Sequence, residues 1–105
     1  MKIAKVTYTT QMEYAEQNKA NIQAVMDDLQ RMNVPGLNYN ACVGPDGKTF
    51  IHMAFFETDE AQKILFDLPS FKSFQEQLKN SKPETPPKPE MLTLVGTSTP
   101  IFKAN

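Results

Sequence analysis

Apolar residues recur along the chain with two alternating periods, two for strands and about 3.6 for helices. From Ile3 to Thr9, Ala4, Val6 and Tyr8 share one face, while Ile3, Lys5, Thr7 and Thr9 share the other. That alternation predicts a strand. Thr10-Gln11-Met12-Glu13 has the spacing of a capping box, with Thr10 as N-cap and Glu13 reaching back. The helix it predicts runs to about Met32, because Ala15, Ile22, Val25, Met26, Leu29 and Met32 fall on one stripe. Asn33-Val34-Pro35-Gly36 ends it, since the residue before a proline is pushed out of helical geometry.

Leu37 to Val43 alternates again, and Gly44-Pro45-Asp46-Gly47 is a turn leading into a third strand over Thr49 to Glu57. These two strands therefore form a hairpin. Thr58 or Asp59 caps a second helix with the stripe Ala61, Ile64, Leu65 and Leu68. Pro69 interrupts it, and Phe71, Phe74 and Leu78 continue the pattern in a kinked or separate helix. Four of the eight prolines lie between Ser81 and Glu90, which reads as an extended connector at 81–90. Met91 to Thr97 reads as the last strand, and the tail 98–105 carries Ile101 and Phe102, which need burial.

The order β-α-β-β-α-β predicts one ferredoxin-like α+β domain over 1–105. Both helices would lie on one face of a four-stranded antiparallel sheet, with strands one and three central. Yet the third strand is apolar on both faces: Phe50, His52, Ala54 and Phe56 on one, Ile51, Met53 and Phe55 on the other. A half-solvated antiparallel strand normally alternates between apolar and polar. A second copy of the chain is the expected cover for the extra face, giving a homodimer.

Composition narrows the function classes. With 11 Lys and Arg against 12 Asp and Glu, the formal charge is −1, which leaves no broad electrostatic attraction for nucleic acid or an anionic membrane. The lone Cys42 permits no internal disulfide, and no apolar run approaches a bilayer span or a secretory signal, so a cytoplasmic protein is expected. An RNA-recognition motif shares the topology, but Lys48-Thr49-Phe50-Ile51-His52-Met53-Ala54-Phe55 lacks both glycines and the central aromatic of its third-strand signature.

Phe56-Glu57-Thr58-Asp59-Glu60-Ala61, Leu68-Pro69-Ser70-Phe71-Lys72-Ser73-Phe74 and Leu94-Val95-Gly96-Thr97, set in this layout, resemble the dimeric α+β barrel superfamily. That group includes the antibiotic-biosynthesis-monooxygenase-like and stress-responsive barrel proteins. The resemblance implies subunits packed sheet against sheet, a chain end reaching over the partner, and a pocket between sheet and helices for small aromatic molecules. The chain departs from the monooxygenase pattern in having no Trp on the third strand and no His on the second helix.

His52 is the one histidine, which excludes a His-rich metal site and makes it the candidate catalytic base. Tyr8, Tyr14, Tyr39, Phe50, Phe56 and Phe71 are the candidate pocket residues, the tyrosines because a phenol packs and hydrogen-bonds at once. Asn38 and Asn40 share a strand face with Cys42 and could orient a carbonyl; Cys42 itself reads as buried and inert. No cofactor is called for. Two functions stay open: a small-ligand binding protein without a catalytic signature, and a cofactor-independent monooxygenase-like or isomerase-like enzyme using His52 and a tyrosine.

Overall fold

The computed structural model of the chain describes residues 1–102. Strand β1 spans Lys2–Thr9, β2 Leu37–Val43, β3 Thr49–Phe56 and β4 Thr85–Leu92; helix α1 spans Ala15–Met32, α2 Asp59–Asp67 and α3 Pro69–Asn80. The sheet order is β2-β3-β1-β4 with every pair antiparallel. This is the expected ferredoxin-like arrangement, with β1 and β3 central.

Register decides which side chains meet. Val6 pairs with His52 and Tyr8 with Phe50 across β1–β3, and Ala41 pairs with His52 across β2–β3. Ala4, Val6, Tyr8, Tyr39, Phe50, His52, Ala54 and Phe56 therefore share one face. The core packs there, joined by Val25 of α1, Leu65 of α2, and Phe71, Phe74 and Leu78 of α3. The opposite face bears Ile51, Met53 and Phe55 alongside Lys5, Thr7, Asn38, Asn40 and Cys42.

Three local expectations are corrected. Thr10 is no helix cap: its N–H and hydroxyl both donate to the Lys48 carbonyl, which prolongs the β1–β3 pairing and buries it. The chain then makes one 3₁₀ turn, Met12–Tyr14, before α1, with no side-chain cap. Second, the last strand is Thr85–Leu92, so residues 85–90 of the expected connector belong to the sheet, and residues after Leu92 do not. Prolines 86, 87 and 89 are tolerated because β4 is an edge strand bonded only to β1, with a register break between Thr7 and Thr9. Third, Cys42 is exposed, since its parity puts it on the face without helices.

Other boundaries follow local chemistry. Thr58 caps α2 by accepting from the Ala61 N–H at 3.1 Å. Leu68 is extended, and Pro69 starts α3, a position where the missing N–H costs nothing. Ile101 and Phe102 are half-buried, whereas Val95 is fully exposed; the final three residues of the tail lie outside the described residues.

Candidate active site

A cavity of about 660 Å³ opens between the sheet and helices α2 and α3. Its floor is Ala4, Val6, Ala54 and Phe56, all small or apolar on the core face of β1 and β3. Leu65, Phe66, Phe71, Phe74 and Leu78 form the helical wall, and Pro83, Pro86, Pro87, Pro89 and Met91 form the wall beside β4. The proline run thus supplies rigid apolar surface along an edge strand that is bonded to β1 on one side alone. Gln62, Gln75 and Lys79 are the polar groups on the helical side.

Within this carbon-rich lining sits one buried polar cluster. His52 is 4% exposed and its ring lies 5.3 Å from that of Phe74, nearly parallel at 29°. Its Nε2 is 2.7 Å from Tyr8 Oη and its Nδ1 is 2.6 Å from Tyr39 Oη. Behind Tyr8, the Asn18 Nδ2 donates to Tyr8 Oη at 2.8 Å. The result is a continuous row, Asn18–Tyr8–His52–Tyr39, running from α1 across the sheet to the cavity. Adjacent strands in antiparallel register place Tyr8, His52 and Tyr39 side by side, because Val6 and Ala41 flank His52 and their next same-face neighbours are Tyr8 and Tyr39.

Burial sets the charge states. Desolvation lowers the His52 pKa from an ordinary 6.5 to about 4, so the imidazole is neutral at physiological pH. Desolvation likewise pushes Tyr8 and Tyr39 above the ordinary phenol value, so both stay protonated. A neutral imidazole offers one donor and one acceptor, so the two tyrosines stand in opposite senses to it.

His52, Tyr8, Tyr39, Phe56 and Phe71 all line the cavity. Phe50 does not; it lies in the core stacked on Tyr8, with ring centroids 5.5 Å apart. Tyr14 also stands outside, its hydroxyl accepting from Asn21 at 3.3 Å. Asn38 and Asn40 face the other side of the sheet and hydrogen-bond to each other. Among the described residues no group of three or more His, Cys, Asp or Glu could hold a metal, and no helix is long and apolar enough to cross a membrane.

Asn18 escaped the sequence reading. A signal was present: with Ala15, Ile22, Val25 and Leu29 it completes the buried stripe of α1, and it is the polar member of that stripe, fully buried. A buried amide in an otherwise apolar row asks for a partner, and only the fold shows that the partner is Tyr8.

No family model matches the chain, and no curated protein matches it in sequence. Solved structures do match in shape. An antibiotic biosynthesis monooxygenase superposes with a TM-score of 0.76 at 11% identity, covering 91% of this chain and 100% of the other. SnoaB, a cofactor-independent oxygenase from Streptomyces nogalater, gives 0.67 at 13% identity over 92% and 96% of the two chains. A monooxygenase from the gene ActVA-Orf6 of Streptomyces coelicolor, solved with the ligand nanaomycin D, gives 0.63 at 21% identity over 94% and 91%. At these identities the likeness is one of fold: the chain folds as the antibiotic-biosynthesis-monooxygenase-like proteins do.

Proposed function

We propose that this protein is a cofactor-independent oxygenase acting on a flat, hydroxylated aromatic molecule held in the cavity. The observation that carries the reading is the Tyr39–His52 pair, a neutral hydrogen-bonded pair set into a mainly apolar cavity. It supplies what the linear sequence lacked, polar groups brought together without a motif, and it supports the enzyme reading over that of a binding protein with no catalytic signature. The chain lacks the Trp and the second-helix His of the monooxygenase pattern, and its Tyr8–His52–Tyr39 row is carried by the strands instead.

The chemistry needs no added reductant. A methylene activated by a hydroxylated ring can be oxidised to a carbonyl by one molecule of oxygen, with water as the other product. The substrate's carbon gives four electrons, one oxygen atom enters the product, and the other leaves as water with both methylene hydrogens. The step starts from the substrate anion, formed as one methylene proton passes to solvent and returned to balance in the product water, and the anion's charge collects on the ring oxygen. Tyr39 faces that oxygen, and His52 holds Tyr39 in place in a site of low dielectric, where a fixed dipole acts strongly.

The same reading has two copies packed through the open sheet face. Ile51, Met53 and Phe55 lie there uncovered by any helix of their own chain, and a domain of this size buries a modest share of its surface alone. A monomer mass by light scattering at micromolar concentration would refute this part.

Oxygen uptake decides the main claim. Purified protein, with a metal chelator and no flavin, is offered a panel of quinol- and anthrone-type substrates. Uptake matched one-to-one by product is expected, falling at least about tenfold in His52→Ala and Tyr39→Phe as a positioned donor is lost. Wild-type rates in His52→Ala would remove His52 from the mechanism. Binding of every panel member without oxygen uptake would return the protein to a ligand carrier.

A further inference from the structure

The row Asn18–Tyr8–His52–Tyr39 has a direction, and its far end sets it. Asn18 is fully buried, and its Oδ1 is a buried atom without a hydrogen-bond partner among the described residues, while Nδ2 donates to Tyr8 Oη at 2.8 Å. Turning the amide over would pair Oδ1 but orphan an NH₂ group, and buried unpaired N–H donors are rarer than under-satisfied carbonyls. With Nδ2 toward it, the Tyr8 oxygen accepts, and among the described residues the Tyr8 proton has one acceptor in reach, His52 Nε2 at 2.7 Å. The proton of the neutral imidazole then lies on Nδ1 and is donated to Tyr39 Oη at 2.6 Å. The Tyr39 hydroxyl hydrogen is left free to point into the cavity that Tyr39 lines.

We propose that Asn18, although it does not touch the cavity, is a positioning residue that fixes the polarity of this relay, so that the site presents a hydrogen-bond donor and selects molecules bearing an acceptor oxygen, a carbonyl or phenolate, at their buried end. This deepens the oxygenase reading and rests on it for the cavity's being a ligand site; the direction of the relay stands independently. Reversed, the relay would place the proton on Nε2, make Tyr39 donate to Nδ1, and leave Tyr39 only a lone pair to offer the ligand. That site would favour N–H and O–H donors instead.

His52 is the one histidine of the chain, so a tag-free, ¹⁵N-labelled sample gives a single imidazole spin system. Long-range proton–nitrogen correlation separates a protonated ring nitrogen from a bare one. Wild type is expected to carry its proton on Nδ1, the minority form of free histidine. Asn18→Asp, examined at mildly alkaline pH where even a buried carboxylate ionises, can only accept from Tyr8 and is expected to move the proton to Nε2. Tyr8→Phe removes the lock and is expected to give a mixture of tautomers; it serves also if Asn18→Asp does not fold.

Two probes read the consequence. 2-Acetylnaphthalene only accepts a hydrogen bond and carbazole only donates one. Wild type is expected to favour the first by about tenfold and Asn18→Asp to favour the second, the scale of one well-made hydrogen bond. A wild-type proton on Nε2, or an unchanged tautomer in both variants, overturns the proposal. So does a probe preference that does not follow the tautomer. Failure of both probes to bind overturns the ligand-site reading alone, and the nitrogen spectrum still decides the relay.

Discussion

Acidification should destabilise this protein through His52. The side chain is 4% exposed, and burial holds its pKa at about 4 against 6.5 in an unfolded chain. Between those two values the unfolded state binds a proton on His52 that the folded state refuses, so stability falls as pH drops through this window. At about 1.4 kcal/mol per pH unit, the loss reaches about 3 kcal/mol by about pH 4 and then levels off. That is a large share of the roughly 5–15 kcal/mol that holds a domain of this kind together. Urea unfolding followed by circular dichroism, at neutral pH and at several values down to 4, measures it directly. Ordinary carboxylates titrate over the same range, so the quantity to take is the difference between wild type and His52→Gln. The variant should be less stable than wild type at neutral pH and should lose less on acidification. Parallel pH profiles for the two proteins, or a His52 ring proton that titrates near 6.5, would refute the account of a desolvated neutral imidazole.

Other consequences are local. Gly36 has a φ of +74°, and a Cβ there would sit 3.1 Å from Glu57 Cβ, so Gly36→Ala should cost about 1–3 kcal/mol in urea unfolding from backbone strain. Thr58→Ala removes the α2 cap and should cost about 1 kcal/mol, with near-neutral loss on Thr58→Ser, since serine caps as well. The Asp46 carboxylate accepts from the Thr49 hydroxyl and from the Lys48 and Thr49 N–H groups, which lowers its pKa to about 2. Asp46 should therefore stay charged down to about that pH by carbon-detected NMR titration, and its contribution to stability should be lost as pH falls from the ordinary 3.8 to about 2 and level off below.

The elements whose chemistry is local were legible in the residues. Leu37–Val43 is marked by strict alternation between a proline-glycine break and a glycine turn, and α2 by Thr58 and Pro69, each acting on its nearest neighbours. Thr10 and β4 were not, for the same physical reason. Thr10 has the side chain of a cap, but the Lys48 carbonyl across the sheet binds its N–H first. The segment 85–90 has the prolines of a linker, yet an edge position leaves strand N–H groups on one side without a ladder to serve, so prolines are no obstacle. Pairing with a distant strand outweighs a local preference of a kilocalorie or less.

The same division runs through the site. Alternation along β3 was enough to place His52 on a face with Phe50, Ala54 and Phe56, and to show that the opposite face was also apolar. It could not say which face the helices would cover, because that depends on the handedness of the crossovers and the register of strands far apart in sequence. Tertiary structure decided it: the His52 face is the helix-covered one, and Cys42 is left outside. It also brought Asn18, Tyr8 and Tyr39 to one imidazole from separations of 34, 44 and 13 residues, with Asn18 reaching it through Tyr8. Residue types and their period determine what each element can bury; only the meeting of elements determines which buried polar groups become partners, and here that meeting makes the site.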